Sequence, residues 1–346
     1  MVQVHGGDIY NHEVEIDYSA NINPFGMPKS VELAAIDGVR KSIHYPEISC
    51  TRLRAAIAKK EGVKKEQIIC SNGAAEVIYQ LIYAYRPKRA LLFYPSFSEY
   101  EQALRAGGCE IQTHMLRKEH EYKVTETIFT KLEPSLDILF LCNPNNPTGV
   151  TIPKDLLSRM IEECFKKEIL LVIDECFQDF LEENEQDSRV GFIEKYPNLF
   201  ILKAFTKMYG MAGLRLGYGL TSNRTIIENM EQSTQPWNVS IPAQLAGIAA
   251  CSEEGFVKES REYVAKQRMF LQKELKRLGL HVYPSKANYI FFEGPRGLYE
   301  ECLKHKILIR SCCNYPGLED KHYRIAVKLE EDNKKLIQFL EKILLP

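Results

Sequence analysis

The feature that most constrains the fold is a series of short, almost wholly apolar segments that alternate with helical ones between residues 53 and 220. Segments this apolar are typical of strands that are buried on both faces. Predicted strands lie at residues 67–70, 90–94, 109–115, 137–142, 169–173 and 199–202, and predicted helices at 74–85, 99–106 and 153–167. The alternation predicts an α/β fold with a mostly parallel sheet covered by helices on both faces.

After residue 220 the pattern changes. Helices are predicted over residues 223–232, 243–251, 254–278 and 331–344, and shorter strands over 287–292, 307–310 and 323–327. This mixture predicts a second, smaller α+β domain. We expect residues 1–40 to form an N-terminal arm and a segment of the small domain, residues 41–222 the large domain, and residues 223–346 the small C-terminal domain.

The predicted strands end in distinctive residues, and ligands of parallel sheets bind at such ends. Lys207 lies just past a strand, with Thr206 beside it and Arg215 eight positions later. A lysine amine can form a Schiff base with an aldehyde, and a hydroxyl and a guanidinium can hold a phosphate. The combination suits an aldehyde cofactor that carries a phosphate, although a single lysine could equally be solvated.

Three other strand ends are compatible with the same cofactor. Asp174 closes a buried strand, where a carboxylate is costly unless it is paired. Opposite a protonated pyridine nitrogen it would keep the ring cationic, but taken alone it fits a helix N-cap or a buried ion pair better. Residues 71–75 lie between a strand and a helix, so their N–H groups can hold a phosphate. Phe97 could be core or could stack on a flat ring.

Composition excludes several classes of function. The 45 basic and 46 acidic residues nearly cancel, so no broad field favours nucleic acid or an anionic membrane. None of the ten cysteines forms a Cys-x-x-Cys pair, so we expect no metal site and no disulfide framework, and most thiols packed as small apolar groups in a reducing cytoplasm. The sequence has no apolar run of roughly 18 residues and no signal peptide at residues 1–10. We expect a cytoplasmic protein.

The motifs together resemble those of a known superfamily. The Asn-x-x-x-Pro-Thr-Gly run at 143–149, Asp174, Lys207 and Arg215 are similar in order and spacing to the fold-type-I pyridoxal-phosphate enzymes, the aspartate aminotransferase superfamily, over nearly the whole chain. This resemblance implies a mostly parallel seven-stranded sheet in the large domain and a smaller α+β domain. Residues 5–7, 19–28 and 307–318 resemble the histidinol-phosphate aminotransferase branch, and most closely the threonine-phosphate decarboxylases of cobalamin biosynthesis.

The resemblance implies a role for each cofactor-binding residue. Lys207 would be the Schiff-base lysine and proton carrier, Asp174 the partner of the pyridine nitrogen, and Asn146 the partner of the phenolate oxygen. Phe97 would stack on the ring. The cofactor phosphate would be held by the backbone amides of Ala74 and Ala75, by Thr206 and Arg215, and by Tyr45 from the neighbouring subunit of a homodimer.

The resemblance also implies a substrate site. Arg324 would face the substrate α-carboxylate, with Asn146 nearby. Arg310, Asn21 and the arm at His5 and Gly6 would receive a substrate phosphate, because a glycine pair at 6–7 lets the backbone approach an anion closely. A histidine near an N-terminus is otherwise commonly solvated.

Two departures from the family pattern bear on the reaction. Phe177 stands where aminotransferases of the branch carry tyrosine, as it does in the decarboxylase-like relatives, and Ala204 stands where the family often has a hydroxyl. We expect decarboxylation of L-threonine O-3-phosphate to (R)-1-aminopropan-2-yl phosphate, with O-phospho-L-serine as a second substrate. The alternatives are a histidinol-phosphate or related aminotransferase and, from another class, a non-catalytic cofactor-binding regulator, for which the chain lacks a basic DNA-binding segment.

Overall fold

The computed structural model describes residues 5–345. Its strands are β1 (Ile16–Asp17), β2 (Ile68–Ser71), β3 (Arg89–Tyr94), β4 (Glu110–Met115), β5 (Ile138–Cys142), β6 (Leu170–Asp174), β7 (Leu199–Ala204), β8 (Gly217–Leu220), β9 (His281–Val282), β10 (Tyr289–Glu293), β11 (Ile307–Leu308), β12 (Arg310–Ser311) and β13 (His322–Ala326). Its α-helices are α1 (Lys29–Arg40), α2 (Thr51–Glu61), α3 (Gly73–Tyr85), α4 (Glu99–Ala106), α5 (Lys154–Lys166), α6 (Arg224–Ser233), α7 (Ile241–Ala250), α8 (Glu254–Arg277), α9 (Leu298–Lys304) and α10 (Glu330–Leu344).

The central sheet has seven strands in the order β2-β8-β7-β6-β5-β3-β4. Every neighbouring pair is parallel except the two that involve β8, which runs antiparallel to β2 and to β7. The predicted fold class, a mostly parallel seven-stranded sheet with a smaller α+β part, is confirmed.

Burial on both faces explains why the central strands are continuously apolar. Every residue of β5 and β6 is buried. Along β5, Leu139 and Leu141 belong to one hydrophobic cluster, whereas Ile138 and Phe140 belong to the cluster on the other face. A strand that packs against helices on both faces has no solvent side on which polar residues could alternate.

A second, antiparallel sheet has the order β12-β13-β10-β9. Next to it, the N-terminal segment joins the C-terminal part of the chain, because β1 pairs in parallel with β11. The predicted limits of the three parts at residues 40 and 222 remain predictions, although all seven strands of the central sheet lie between residues 68 and 220.

Most predicted elements have bounds within three residues of those observed, but one strand prediction is wrong. Residues 307–310 do not form one strand, because β11 pairs with β1 whereas β12 pairs with β13 in the other sheet. The sequence-based predictions also missed β1, β8, β9, α2 and α9.

Three further findings concern the described residues. Most of the ten free cysteines are buried, as expected. Within residues 5–345, no cluster of three or more His, Cys, Asp or Glu residues is placed to hold a metal ion. The helices of that part of the chain are all too short or too polar to cross a membrane.

Candidate active site

A cavity of about 210 Å³ lies at the carboxyl ends of β5, β6 and β7, and residues of the second sheet and the N-terminal arm complete its wall. The predicted site residues that line it are His5, Gly6, Asn21, Ala74, Ala75, Phe97, Asn146, Asp174, Thr206, Lys207, Arg215, Arg310 and Arg324. Tyr45 is the one predicted site residue outside this lining. The structure therefore brings the predicted residues other than Tyr45 together in one cavity, while the role of each residue remains a prediction.

Lys207 lies three residues beyond β7, in a loop that the N-terminal segment fixes. The Asn23 backbone N–H donates to the Lys207 carbonyl at 3.0 Å, and the Asn23 side-chain amide donates to the Met208 carbonyl at 2.8 Å. Burial, and then the nearby Arg324 guanidinium, lower the pKa of the Lys207 amine to about 8. A substantial fraction of the amine is therefore neutral and nucleophilic near physiological pH.

Asp174, the last residue of β6, is a buried carboxylate held by two hydrogen bonds. It accepts from the Tyr100 hydroxyl at 2.6 Å and from the Cys176 backbone N–H at 2.9 Å. Burial raises its pKa, against the opposing effect of these donors. Among the described residues no lysine, arginine or histidine lies within ion-pair distance of Asp174, so a cationic ligand group would stabilise its charge.

Tyr100 is a site residue that sequence reasoning missed. Its fully buried ring stacks on Phe140 at a centroid distance of 4.9 Å and meets the Phe97 ring edge-on at 5.5 Å. Its place in a helical segment does not distinguish it from an ordinary core tyrosine. The available signal was its hydroxyl, because a buried tyrosine hydroxyl needs a polar partner, and here that partner is Asp174.

The start of α3 forms an anion cradle. A Cβ on Gly73, where φ is +84°, would lie 2.6 Å from the Arg215 Nη2 atom, so glycine lets the guanidinium pack against the helix start. Ala74 and Ala75 follow, and the buried Thr206 lines the same cavity. Backbone N–H groups, a hydroxyl and a guanidinium are the donors that phosphate requires.

Asn146 follows β5 in a turn that side-chain hydrogen bonds fix. The Asn145 amide donates to the Thr148 hydroxyl at 2.9 Å, and the Tyr289 hydroxyl donates to the Asn145 carbonyl at 2.8 Å. The Asn146 Oδ1 atom accepts from the Arg324 Nη1 at 2.5 Å. With its oxygen engaged, Asn146 has its amide N–H groups to offer a ligand.

Arg310 and Arg324 stand directly opposite each other in the β12–β13 ladder. Directly opposed residues project from the same face of a sheet, and like charges there are destabilising. Both arginines are only 5% exposed. Arg324 also donates to the Ser19 carbonyl at 2.7 Å, and its buried Nε has no hydrogen-bond partner. Two opposed, buried guanidiniums at one cavity suit ligand anions.

The N-terminal arm crosses the same end of the cavity. The Gly7 N–H donates to the Ser19 hydroxyl at 2.6 Å. A Cβ on Gly6 would lie 2.2 Å from the Ser19 carbonyl oxygen, so only glycine allows this approach. Asn21 is buried, and its Oδ1 has no hydrogen-bond partner. His5, Gly6, Asn21 and Arg310 therefore line one cavity, and their role as a substrate-phosphate site remains a prediction.

Tyr45 and Phe177 occupy contrasting positions. Tyr45 is 78% exposed and stacks on Trp237 at a centroid distance of 4.6 Å. Phe177 lines the cavity and meets the Tyr289 ring edge-on at a centroid distance of 4.9 Å. Because it is phenylalanine and not tyrosine, it brings no hydroxyl to the cavity. Ala204 also lines the cavity.

The charges of the lining fit pyridoxal phosphate together with an anionic substrate. Among the described lining residues, four lysines or arginines face one carboxylate, Asp174. The α3 start, Thr206 and Arg215 can hold the cofactor phosphate, Asp174 its ring nitrogen, and Lys207 its aldehyde carbon. Arg310 and Arg324 lie at the other end of the cavity and can bind anionic groups of a second ligand.

Comparison with known proteins supports this interpretation. Residues 13–340 match the family described as Aminotransferase class I and II. The chain is 36% identical over 336 residues to a threonine-phosphate decarboxylase of Salmonella typhimurium, covering 95% of this chain and 91% of that protein.

Two solved structures have the same fold. The histidinol-phosphate aminotransferase of Clostridium acetobutylicum superposes with a TM-score of 0.89 at 32% identity, covering 95% of this chain and 99% of that one. The L-threonine-O-3-phosphate decarboxylase of Porphyromonas gingivalis gives a TM-score of 0.84 at 25% identity, covering 96% and 100%. The relatives therefore include two reactions.

Proposed function

The chain belongs to the aminotransferase class I and II family, and we propose that it is a pyridoxal-phosphate-dependent decarboxylase of L-threonine O-3-phosphate. The products would be carbon dioxide and (R)-1-aminopropan-2-yl phosphate, a precursor for cobalamin. The relative from Salmonella typhimurium, a threonine-phosphate decarboxylase, supports this assignment.

The single observation that carries the proposal is the opposed pair of buried arginines in one ladder. Arg324 lies nearer Lys207, whose pKa it lowers, and it contacts Asn146, so it suits the α-carboxylate. Arg310 lines the same cavity as His5 and Gly6 of the arm and suits the phosphate. L-Threonine O-3-phosphate carries two anionic groups a few bonds apart, one for each arginine, whereas histidinol phosphate carries only one.

The cavity offers a candidate residue for each part of the proposed reaction. When bound, pyridoxal phosphate supplies an electron sink for the bond that breaks at the substrate Cα. Arg324 orients the carboxylate that leaves as carbon dioxide. Lys207 Nζ would carry the proton that replaces it to Cα. Phe97 and Phe177 contribute apolar walls that limit the access of water to the reacting carbon.

The alternative is a histidinol-phosphate aminotransferase. The specific observation in its favour is the 0.89 TM-score with the enzyme from Clostridium acetobutylicum, the highest of the structures compared above. The two reactions share the cofactor site and differ in which bond at Cα breaks, so the cofactor-binding residues do not distinguish them. Phe177, which supplies no hydroxyl, favours the decarboxylase.

One assay distinguishes the two reactions. The protein loaded with pyridoxal phosphate is incubated with L-threonine O-3-phosphate, O-phospho-L-serine or histidinol phosphate, with and without 2-oxoglutarate, and carbon dioxide and glutamate are measured. We expect carbon dioxide from the phosphothreonine, and also from the phosphoserine, whose one missing methyl changes binding by only about 1–3 kcal/mol. Glutamate from histidinol phosphate, with no carbon dioxide from either phospho-amino acid, would overturn the proposal.

Cofactor attachment is tested separately. Borohydride reduction of the loaded protein, followed by peptide mass spectrometry, should place the cofactor on Lys207. A protein that takes up no pyridoxal phosphate, or that carries it on another lysine, would contradict the assignment.

We further propose that the protein is a homodimer in which Tyr45 completes the cofactor-phosphate site of the other subunit. Tyr45 lies outside its own chain's cavity and is highly exposed. Tyr45 stacks on the exposed Trp237. The stretch of sequence around it also carries exposed large hydrophobic residues, namely Leu33, Ile36, Val39, Ile43 and Ile48. A second copy that uses the same surface would bury them, as a two-fold interface requires.

Subunit complementation tests the shared site. Tyr45→Ala and Lys207→Ala proteins, each of low activity, are mixed under conditions that exchange subunits. The hybrid dimer has one site with both native residues, so activity should reappear. An active monomer in sedimentation, or no recovery after verified exchange, would contradict a shared site. Trp237, the one tryptophan of the chain, reports assembly by its fluorescence.

A further inference from the structure

We propose that Glu99 is a positioning residue that holds the His5 ring against the phosphate-bearing end of the substrate. This inference rests on the proposed function only in assuming that the substrate carries a phosphate, which both candidate reactions share. Glu99 itself does not line the cavity, whereas His5 does. Glu99 would therefore act through His5.

The two side chains form an ion pair across the cavity wall. The Glu99 Oε1 atom lies 3.3 Å from the His5 Nε2 atom, and the Glu99 side chain is only 14% exposed. That same oxygen is fully buried and accepts no hydrogen bond in the structure. Within residues 5–345, His5 is the one basic side chain within ion-pair distance of Glu99.

In the part of the chain that the structure describes, no second basic side chain lies within ion-pair distance of Glu99. Tyr79 lies near enough to feel its charge, because burial and then the Glu99 carboxylate raise the pKa of that phenol. The phenol therefore stays neutral. A carboxylate withdrawn from water needs a charged or hydrogen-bonding partner, and the His5 ring is the group that stands close enough to meet that need.

The other contacts of the arm fix its backbone and leave the imidazole ring free. The hydrogen bond from the Gly7 N–H to the Ser19 hydroxyl and the close packing of Gly6 on the Ser19 carbonyl both act on the main chain. The described contact that fixes the direction of the His5 ring is the one to Glu99. With one ring nitrogen directed at Glu99, the rest of the imidazole can face a phosphate in the cavity, as an oriented histidine does between two anions.

The position of Glu99 in the fold links the two ends of the cavity. Glu99 is the first residue of α4. Phe97, two residues before it, lines the cofactor end, and Tyr100, the next residue, donates to Asp174. Phe97, Glu99 and Tyr100 therefore lie within one short stretch at the start of α4. This stretch contacts the cofactor end through Phe97 and Tyr100 and the N-terminal arm through Glu99.

The test is the Glu99→Gln variant of the holoprotein, which keeps the shape of the side chain and removes its charge. We expect KM for L-threonine O-3-phosphate to rise roughly tenfold, the loss associated with one charge-assisted contact, with kcat changed less than about threefold. Affinity for L-threonine, which lacks the phosphate, should not change. Glu101→Gln, on the same helix and paired with the surface residue Arg105, is the matched control and should behave like the wild type.

A double-mutant cycle with His5→Ala separates positioning from general destabilisation. In the His5→Ala background, Glu99→Gln should have no further effect on KM, because the ring it positions is gone. An equal effect in both backgrounds, an equal loss of L-threonine affinity, or a Glu99→Gln protein with wild-type KM would each overturn the inference.

The same variants are titrated with inorganic phosphate, monitored by the cofactor absorbance, and assayed with histidinol phosphate. If the wild type proves to be an aminotransferase, the decarboxylase proposal fails while the Glu99 effect should persist on histidinol phosphate. If the wild type decarboxylates phosphothreonine and Glu99→Gln binds phosphate normally, the Glu99 inference alone fails.

Discussion

The two ends of the cavity are built in different ways. The cofactor end takes Asn146, Asp174 and Lys207 from the ends of neighbouring parallel strands. The substrate end takes its residues from opposite ends of the chain; the hydrogen bond between Ser19 and Arg324 spans 305 positions. The first end follows from strand-end chemistry within one sheet. The second exists only because β1 pairs with β11 and β12 pairs with β13.

The two ends also differ in electrostatics. The cofactor end holds one acid and one amine whose pKa values burial shifts in the directions that favour their neutral forms. The substrate end concentrates guanidinium groups, which stay charged even when buried. One end is thus suited to changing protonation state and the other to holding fixed anions. This division predicts that mutations will separate into those that affect cofactor chemistry and those that affect substrate binding.

The largest effect should come from Lys207→Ala. Removing the proton carrier should lower kcat by at least about 10²–10⁴-fold, while circular dichroism shows an intact fold. Lys166→Ala, which removes an exposed lysine that pairs with Glu163, is the control. A Lys207→Ala protein that kept more than a tenth of wild-type kcat would show that the reaction does not pass through this end.

Variants of the two opposed arginines should show which anionic group of the substrate each one binds. Arg310→Gln and Arg324→Gln each remove a charge-assisted contact worth about 1.5–3 kcal/mol, so each should raise KM for L-threonine O-3-phosphate roughly 10–150-fold. Only Arg324→Gln should also weaken the binding of unphosphorylated L-threonine. The cofactor spectrum should persist in Arg310→Gln. If that variant instead lost the cofactor, Arg310 would belong to the cofactor end.

The pH dependence of cofactor capture tests the amine of Lys207. Only the neutral amine attacks an aldehyde, so with a pKa of about 8 the capture rate should rise roughly tenfold from pH 7 to pH 9 and then level off. Stopped-flow absorbance of the apoprotein mixed with pyridoxal phosphate measures this rate, with Lys207→Ala as the blank. A rate that still climbs steeply beyond pH 9 would mean that the pKa keeps its ordinary value near 10.5.

The smallest effects should appear in a matched pair, one variant at each end. Thr206→Val and Asn21→Ala each remove one neutral hydrogen-bonding group, worth about 0.5–1.5 kcal/mol, or roughly 2–10-fold in affinity. Thr206→Val should weaken only pyridoxal phosphate, and Asn21→Ala only the phosphorylated substrate. Both affinities are measured by equilibrium titration of the same preparations. If Thr206→Val also weakened substrate binding, or Asn21→Ala also weakened cofactor binding, the two ends would not be separate.

The sequence-based predictions were correct for elements whose local pattern has a direct physical cause. Continuous apolar segments are a direct consequence of burial on both faces, so β5 and β6 were predicted correctly. The predictions failed at β8, where Gly217 and Gly219 interrupt the apolar pattern and Phe200 packs within 2.2 Å of the place a Cβ would take on Gly219. Glycine has low strand propensity, and that strand is fixed by its two neighbours.

The sequence by itself determined the fold class, because the alternation of apolar segments with helices is one repeated pattern. The candidate cofactor and substrate residues, the two arginines among them, follow from the resemblance of its motifs to a known family, and their roles remain predictions. Only the tertiary structure decided that Arg310 and Arg324 are directly opposed, that Tyr100 holds Asp174 and that Glu99 meets His5. These contacts join segments far apart in sequence, and their geometry follows from strand register and burial, which no local pattern records.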